Sequence, residues 1–278
     1  MGTIQSRSIT ANGLTFPAIE AGEGSVLLML HGGGSRAAHF MPLIENLSGS
    51  FRCIAYDQRG FGGTQVPDDA PVDHEHWARD VPAVLDALGI GSATLLGWSL
   101  GCSVAINAAA RDAQRYDALV LLGAPDPAKR VNAAALAERQ AEYEALDRGA
   151  LARRAASDLA AQLAPDASDN ASLLDMLVAD RMAAPLALQA RTIAGYATRG
   201  DLLAAARSLR VPAVLLTGEH DRTCPPDGAR AMADALGAAP PRIVKGCGHY
   251  LCAEKPAAVA AAIEELLKAR SGKNGKLK

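Results

Sequence analysis

The sequence predicts an α/β fold in which a mostly parallel, doubly wound sheet of about eight strands carries helices on both faces. Short apolar runs typical of buried parallel strands alternate with helical patterns up to residue 126 and return from residue 210. Between these parts, residues 127–209 show only alanine-rich helical patterns interrupted by prolines. We therefore expect a core formed by 1–126 and 210–270. We expect a helical lid at 127–209, inserted after the sixth strand, and a frayed basic tail at 271–278.

Composition and charge restrict the partners that we expect. The 278 residues carry a formal net charge of −2, which offers no attraction for nucleic acid or an acidic membrane. Residues 1–10 lack the apolar segment of a secretion signal, and no apolar run reaches membrane-spanning length, so we expect a cytoplasmic protein.

The five cysteines are expected to be reduced, and a contact between Cys224 and Cys247 is the one pairing that we consider. We expect a small-molecule substrate and no metal or cofactor, and a homo-oligomer stays open.

The individual elements follow from periodicity and from turn residues. Residues 4–20 alternate around Asn12-Gly13, a dipeptide typical of a tight hairpin, and predict two antiparallel strands. Further strands are predicted at 25–30, 51–56, 93–96, 118–122, 211–217 and 242–245. Helices are predicted at 38–47, 73–88, 104–113, 132–146, 150–163, 172–183, 186–198, 201–209, 227–236 and 256–270.

Three polar segments are interpreted as structural. His31 begins a glycine-rich turn after a strand, and we expect its ring to hydrogen-bond the loop backbone. Asp57 and Arg59 lie in a second glycine-rich loop, which we expect charge-assisted hydrogen bonds to hold in place. The alternative is a functional role, with Asp57 as an acid or Arg59 as an anion-binding residue. His74 and His76 stand in the first turn of a helix, where we expect both to face solvent.

One turn in the middle of the chain carries the pattern Gly-x-Ser-x-Gly, with Ser99 at its centre. The turn joins an apolar strand to a helix, and a serine there must adopt a strained backbone conformation. The glycines on either side allow the strand and the helix to approach closely. The hydroxyl then projects from the edge of the sheet, and the N–H of Leu100 lies at a helix N-terminus, where a developing negative charge is stabilised.

Two later loops offer the groups that a nucleophilic serine needs. Asp221 and His249 each follow a predicted strand in the last part of the chain. Because the carboxyl ends of parallel strands meet at one edge of a sheet, we expect both side chains beside Ser99. Acyl transfer needs a nucleophile, a base within hydrogen-bond reach and a carboxylate that fixes the tautomer of the base. Asp126 also follows a strand and is the alternative carboxylate, whereas His220 precedes the last strand and is expected on the surface.

The chain resembles the α/β-hydrolase family over residues 4–270. The serine turn, the chain order Ser, Asp, His, and three further motifs carry the resemblance. These motifs are an Asp-x-Arg-Gly-x-Gly loop at 57–62, a Gly-x-x-Asp loop at 218–221 and a Gly-His pair at 248–249.

The resemblance implies a catalytic role for three residues: the nucleophile Ser99, the general base His249 and the orienting acid Asp221. It also implies an oxyanion hole formed by the N–H groups of Leu100 and Gly33, with Gly34 as the alternative to Gly33. The glycine-rich turn after His31 favours the same interpretation, because its N–H groups are free to face a ligand.

The residue at the centre of the turn restricts the reactions that we expect the protein to catalyse. Haloalkane dehalogenases and epoxide hydrolases of this family use Asp where this chain has Ser99, so those activities are not expected. The chain looks most like small bacterial carboxylesterases, lactonases, carbon–carbon bond hydrolases and cofactor-free perhydrolases. Carbon–carbon hydrolases of the ring-cleavage type carry Trp after the catalytic His, whereas this chain has Tyr250.

We therefore expect hydrolysis of a small carboxylic ester or lactone through an acyl-enzyme intermediate. The alternatives are carbon–carbon bond hydrolysis, or perhydrolase or lyase chemistry on the same residues, and a non-catalytic ligand receptor. Candidates for the pocket wall are Trp98, Tyr250, Met182, Met176 and Tyr196. Because only 4% of the residues are aromatic, a pocket lined by Ala, Leu and Met is favoured. Arg181 or Arg191 is a candidate for holding a substrate carboxylate, against the alternative that both are solvated.

Overall fold

The computed structural model describes residues 3–165 and 170–274, and an eight-stranded sheet lies at its centre. The strands are β1 (Gln5–Ala11), β2 (Leu14–Ala21), β3 (Val26–Leu30), β4 (Arg52–Tyr56), β5 (Ala93–Trp98), β6 (Tyr116–Leu122), β7 (Ala213–Gly218) and β8 (Arg242–Val244). They lie in the order β1-β2-β4-β3-β5-β6-β7-β8. The pairs β1–β2 and β2–β4 are antiparallel, and every pair from β4 to β8 is parallel. The predicted fold class is confirmed.

The first two strands form the predicted hairpin. Asn12 and Gly13 adopt φ angles of 45° and 73°, the left-handed conformations that a type I′ turn requires. Ala11 pairs with Leu14 directly across this turn.

Helices connect the strands and also form the long insertion. They are α1 (Met41–Leu47), α2 (His74–Ala87), α3 (Leu100–Arg111), α4 (Ala133–Glu144), α5 (Arg148–Ala160), α6 (Asn170–Ala183), α7 (Leu186–Tyr196), α8 (Leu202–Ser208), α9 (Pro226–Leu236), α10 (Leu251–Glu254) and α11 (Pro256–Asn274). The short helix α10 lies between the predicted strand at 242–245 and the predicted helix at 256–270, where no helix was predicted. Helix α11 continues to Asn274, beyond its predicted end at residue 270, and residues 275–278 of the predicted tail lie outside the described residues.

Two apolar layers cover the two faces of the sheet. Along β3, Leu28 and Leu30 belong to the layer that contains α2 and α3. The alternate residues Leu27 and Met29 belong to the layer that contains α1 and α11. Because successive side chains of a strand point to opposite faces, a continuous apolar run such as β3 contributes to both layers.

The helices α4–α8 lie between β6 and β7 in the chain, and we call them the inserted helices. The helices α4, α5 and α8 each begin at a polar cap residue whose side chain accepts a hydrogen bond from a backbone N–H in the first turn; these caps are Asn132, Asp147 and Asp201. Because each cap satisfies a free N–H group at a helix start, a new helix can begin at each of these residues without an intervening strand.

Two properties concern the chain as a whole. Within residues 3–165 and 170–274, no helix combines the length and the apolar character that crossing a membrane requires. All five cysteines are buried free thiols, so Cys224 and Cys247 form no disulfide.

Candidate active site

Ser99 occupies the turn between β5 and α3, and its backbone is strained there. Its φ of 53° is unusual for a residue with a side chain. A Cβ atom at Gly97 would collide with the carbonyl of Gly101, and a Cβ atom at Gly101 would collide with the carbonyl of Leu30. The two glycines of the pattern are therefore required by the close approach of β5, α3 and β3.

The Ser99 hydroxyl contacts the His249 imidazole, which in turn contacts Asp221. The His249 Nε2–Ser99 Oγ distance is 2.9 Å, and the His249 Nδ1–Asp221 Oδ2 distance is 2.8 Å. His249 is 3% and Asp221 2% exposed. Because a carboxylate only accepts hydrogen bonds, Nδ1 carries the proton and Nε2 is free to accept the proton of the serine hydroxyl.

The Asp221 carboxylate is fixed by its own loop. Its Oδ1 atom accepts the N–H groups of Thr223 at 3.0 Å and Cys224 at 2.8 Å, while Oδ2 accepts from the imidazole. The alternative carboxylate, Asp126, instead accepts the N–H of Ala128 at 2.9 Å. Of the two candidate carboxylates, the structure brings only Asp221 into contact with His249.

The loop that carries His249 is fastened to the inserted helices and to α10. The His249 N–H donates to the Gln162 carbonyl at 2.7 Å. The Glu254 carboxylate accepts the N–H groups of the residues on either side of His249, at 3.1 and 3.0 Å, and also that of Ala164 at 2.8 Å. Glu254 carries no local sequence signal that marks it as part of the site, because it is a single acidic residue close to a helix start.

His31 has the structural role that its position predicts. Its Nδ1–H donates to the Gly32 carbonyl at 2.8 Å, and its Nε2 accepts the Gln58 N–H at 2.9 Å. Complete burial lowers the pKa of the ring to about 4, so it is neutral at pH 7. The prediction that His31 bonds the loop backbone is confirmed.

The backbone N–H groups of Leu100, at the start of α3, and of both Gly33 and Gly34, in the turn after β3, have no hydrogen-bond partner within the described part of the chain. All three residues line the same cavity as Ser99, so the geometry leaves Gly34 open as the alternative to Gly33. The phenol of Tyr196 lies so close to Gly33 that a Cβ atom there would collide with it.

A polar chain links this turn to α6. The Ser35 hydroxyl and the His39 Nδ1 are 2.5 Å apart, and His39 Nε2 lies 2.7 Å from the Asp180 carboxylate. Arg36 also approaches Asp180, at 3.1 Å. Since Asp180 only accepts, His39 Nε2 donates to it and the hydroxyl donates to Nδ1. These contacts connect the glycine-rich turn after β3 to helix α6, which lies on the other side of the cavity.

A cavity of about 600 Å³ opens at Ser99 and is bounded by the inserted helices. The aromatic side chains that line it are Phe61, Trp98, Tyr196 and Tyr250, and its arginines are Arg36, Arg139, Arg181 and Arg199. Trp98 is also buried in the core, where its Nε1 donates to the His249 carbonyl at 2.8 Å. The wall is therefore richer in aromatic and charged groups than the expected lining of Ala, Leu and Met.

Met176 and Met182, which were predicted to line the pocket, do not line the cavity. Of the described residues, those of α6 that line the cavity include Arg181 but neither Met176 nor Met182. Met176 is 38% exposed. The reason is the rotation of α6: one residue is about 100° around a helix, so the face that presents Arg181 turns Met182 away.

The Asp57 loop is held in place, although not by an internal pair. Asp57 accepts the N–H groups of Ala37 at 2.7 Å and Gly63 at 2.8 Å. Arg59 instead pairs with buried Asp80, with N–O distances of 2.8 and 2.9 Å. The prediction that charge-assisted hydrogen bonds hold this loop is confirmed, and the two charges bond different partners rather than each other.

The expectation that His74 faces solvent is wrong. The residue is 3% exposed, and its Nδ1 lies 3.0 Å from the Gly195 carbonyl at the end of α7. Its backbone N–H donates to Thr198 at 3.0 Å. His76 remains partly exposed, beside Asp73, and His220 lies on the surface as expected.

Comparison with known proteins identifies the family. The family model described as alpha/beta hydrolase fold matches residues 25–256. A 2-hydroxymuconate semialdehyde hydrolase from Pseudomonas sp. (strain CF600) is 29% identical over 273 residues, covering 94% of this chain and 93% of that protein. A thermophilic esterase from Thermogutta terrifontis has a TM-score of 0.83 at 25% identity, covering 95% of this chain and 98% of that one. The enol-lactonase from Burkholderia xenovorans LB400 has a TM-score of 0.81 at 24% identity, covering 94% and 100%.

The chain belongs to the α/β-hydrolase family, and the protein is a hydrolase. The resemblance inferred from the serine turn and its companion loops is thereby confirmed. The likeness to the enol-lactonase, at 24% identity, shows a shared fold.

Proposed function

We propose that the protein hydrolyses a small carboxylic ester or lactone through an acyl-enzyme formed on Ser99. The observation that carries this proposal is the continuous contact from the Ser99 hydroxyl through His249 to Asp221, with distances of 2.9 and 2.8 Å. A serine hydroxyl is a weak nucleophile until a base removes its proton, and this contact supplies that base.

The proposed reaction has two symmetrical halves. Ser99 Oγ attacks the acyl carbon and passes its proton to His249 Nε2, while the negative oxygen receives the N–H groups of Leu100 and Gly33. The leaving alcohol departs with the proton from Nε2, which leaves the acyl group on the serine. Water then attacks that ester, gives its proton to Nε2, and releases the acid as Ser99 regains its proton.

The arginines of the cavity favour a substrate that also carries a carboxylate. Three of them already have partners among the described residues: Arg36 pairs with Asp180, Arg139 with Tyr143 and Asp158, and Arg199 with two backbone carbonyls. Arg181 has no ion-pair or hydrogen-bond partner for its guanidinium within 3–165 and 170–274, and its buried Nε atom is unsatisfied. Its guanidinium lies against Gly34, next to Gly33.

An unpaired guanidinium inside a cavity is suited to a planar carboxylate, which it binds through two parallel hydrogen bonds. Arg191, the other candidate, donates to the carbonyls of Pro67 and Ala70 and is not among the described residues that line the cavity. We therefore assign the carboxylate-binding role to Arg181.

A panel of chromogenic esters and lactones tests the catalytic proposal, with wild type and Ser99→Ala measured together. We expect turnover of at least one ester or lactone by the wild type and none by Ser99→Ala. Turnover that survives in Ser99→Ala would refute the acyl-enzyme.

A matched substrate pair tests the role of Arg181. The p-nitrophenyl monoester of adipate and p-nitrophenyl hexanoate share a six-carbon acyl chain and differ in the terminal carboxylate. Loss of a charged hydrogen bond should lower the adipate-to-hexanoate ratio of kcat/KM by about 10- to 100-fold in Arg181→Met. Arg191→Met is the control and should leave the ratio unchanged; an unchanged ratio in Arg181→Met contradicts the assignment.

Carbon–carbon bond hydrolysis is the second candidate, because the relative that matches 94% of the chain is named a 2-hydroxymuconate semialdehyde hydrolase. A semialdehyde contains no ester, so its hydrolysis breaks a carbon–carbon bond. Tyr250, which stands where ring-cleavage hydrolases carry Trp, weighs against this candidate. Turnover of 2-hydroxymuconate semialdehyde at a higher kcat/KM than every ester and lactone of the panel would favour it over the ester.

A further inference from the structure

The Tyr196 phenol occupies the space that a side chain at Gly33 would fill. Its Cζ atom lies 2.8 Å from the position that a Cβ atom on Gly33 would take, and its hydroxyl oxygen lies closer still. At the preceding residue, Gly32, the Ser99 Cβ atom lies 3.3 Å from the corresponding position. The glycine-rich turn after β3 therefore has the nucleophilic serine beside one residue and the Tyr196 hydroxyl beside the next.

The hydroxyl end of Tyr196 is open to the cavity. The ring packs on the Trp77 indole, with ring centroids 6.1 Å apart, so the core covers the ring rather than the hydroxyl. The side chain as a whole is only partly buried, and it lines the cavity that contains Ser99. The phenol oxygens of Tyr56 and Tyr116 are enclosed in the protein without a partner, and that of Tyr196 is not. A ligand in the cavity therefore has access to this hydroxyl.

The phenol of Tyr196 is a proton donor at neutral pH. Burial raises its pKa above the ordinary value of 10, against smaller opposing effects of the Arg181 and Arg139 guanidinium groups. The Thr192 hydroxyl approaches the phenol from one turn earlier in α7 and gives its own proton to the Gln189 carbonyl at 2.8 Å. Within the described part of the chain, no carbonyl or carboxylate accepts the phenol proton. An oxyanion is a stronger acceptor than a hydroxyl, so the proton is available to a negatively charged oxygen in the cavity.

We propose that the Tyr196 hydroxyl is a third donor of the oxyanion hole, beside the N–H groups of Leu100 and of the glycine-rich turn. This inference rests on the proposed acyl transfer at Ser99. When Ser99 Oγ adds to the acyl carbon, its proton passes to His249 Nε2 and the carbonyl oxygen gains a negative charge, which the phenol O–H then stabilises. A hydrogen bond to a charged oxygen is about twice as strong as one to a neutral carbonyl, so this donor acts mainly in the transition state. The inserted helices thereby take part in the chemistry as well as in closing the cavity.

A purely structural role is the alternative, because the Tyr196 ring fills space beside a glycine. Tyr196→Phe separates the two roles, since Phe keeps the ring and its contacts with Trp77 and Gly33 and removes only the hydroxyl. The matched control is Tyr116→Phe, which removes a buried phenol hydroxyl that has no partner among the described residues and does not line the cavity. Urea titrations of both variants measure any change in stability separately from activity.

The first test measures kcat and KM for the best ester of the panel. We expect Tyr196→Phe to lower kcat by about 100-fold, as the loss of one oxyanion donor does, and to change KM by less than about threefold. Tyr116→Phe should leave both constants unchanged. A structural role would lower the stability or raise KM and leave kcat in place. A loss of less than about tenfold in kcat, or a loss of kcat/KM that lies wholly in KM, overturns the proposal.

A reversible inhibitor tests the same contact without turnover. The carbonyl carbon of a trifluoromethyl ketone accepts Ser99 Oγ, the serine proton moves to His249 Nε2, and the ketone oxygen becomes an oxyanion; the matched methyl ketone stays a ketone. We expect Tyr196→Phe to weaken binding of the trifluoromethyl ketone by about the factor lost in kcat/KM, and binding of the methyl ketone by less than about threefold. Equal effects on the two ketones, or no effect on the trifluoromethyl ketone, overturn the proposal. Failure of the proposed function is seen separately, as ester turnover in Ser99→Ala.

Discussion

Replacing Asp221 by Asn changes one atom of the side chain, and the structure dictates which way the amide must face. Oδ1 of Asp221 accepts two backbone N–H groups, at 3.0 and 2.8 Å. An amide NH₂ group in that position would leave both N–H donors unsatisfied, at about 1–3 kcal/mol each. The amide oxygen therefore stays with the backbone, and the NH₂ group faces His249 Nδ1.

This orientation reverses the tautomer of the base. Nδ1 must now accept, so the proton moves to Nε2, which then points a hydrogen atom at Ser99 and cannot take the serine proton. Restoring the correct tautomer would require the amide to flip, which would leave both backbone N–H groups unsatisfied at a cost of about 2–6 kcal/mol. The wrong tautomer is favoured by this free energy, which corresponds to a loss of about 30-fold to 10⁴-fold in kcat. A wrong-tautomer substitution in another serine hydrolase loses about 10⁴-fold, at the upper end of this range.

The assay is kcat for the best ester of the panel, together with the rate at which a fluorophosphonate labels Ser99. Asp126→Asn is the matched control, because Asp126 follows the neighbouring strand β6 but, among the described residues, its carboxylate accepts only from the N–H of Ala128, in its own loop. We expect Asp221→Asn to lose both activities and Asp126→Asn to keep them. A loss of less than about tenfold in Asp221→Asn, or a large loss in Asp126→Asn, would refute the assignment of the acid.

Three further predictions follow from other contacts. Gly33→Ala should lower kcat by at least about tenfold, since its Cβ would collide with the Tyr196 phenol beside the oxyanion donors; Gly49→Ala, with open space around its Cβ, is the control for the same rate assay. Arg59→Met leaves Asp80 charged and buried and should lower the free energy of unfolding by about 3–5 kcal/mol in urea titrations, whereas Lys245→Met, at an exposed pair, should cost under about 1 kcal/mol. The pKa of His31 is lowered from 6.5 to about 4, so the unfolded chain takes up a proton first as the pH falls. This ring alone should remove about 3 kcal/mol of the stability present above pH 6.5 by pH 4, and His74, whose pKa is also lowered to about 4, should remove a similar amount. Urea titrations should therefore show a loss of at least about 3 kcal/mol, and a flat profile contradicts the buried neutral rings.

The sheet and the site residues Ser99, Asp221 and His249 could be predicted because short stretches of the sequence indicate them. Buried parallel strands such as β3 and β7 are continuous apolar runs, and the glycines around Ser99 mark a turn that few residues tolerate. Asp221 and His249 were predictable because Asp221 follows β7 and His249 follows the short strand β8, and the ends of parallel strands meet at one edge of the sheet.

The rest of the site depends on contacts between distant segments. His74 looks like a solvent-facing residue of a helix start, and only the end of α7, about 120 residues later, buries it. The Arg59 guanidinium forms its ion pair with Asp80, 21 residues later, rather than with the nearby Asp57. In α6, apolar residues occupy more than one side of the helix, so the sequence does not determine which side faces the cavity. Of the three α6 candidates, Met176, Arg181 and Met182, only Arg181 lines the cavity.

The central claim is that Ser99 becomes covalently acylated. The most direct test treats the wild-type protein with a fluorophosphonate and identifies the modified peptide by mass spectrometry. We expect a single phosphonyl adduct on Ser99, formed at a rate that falls sharply in His249→Ala. An adduct on any other residue, or an unmodified Ser99 in a protein that still turns over esters, would contradict this account.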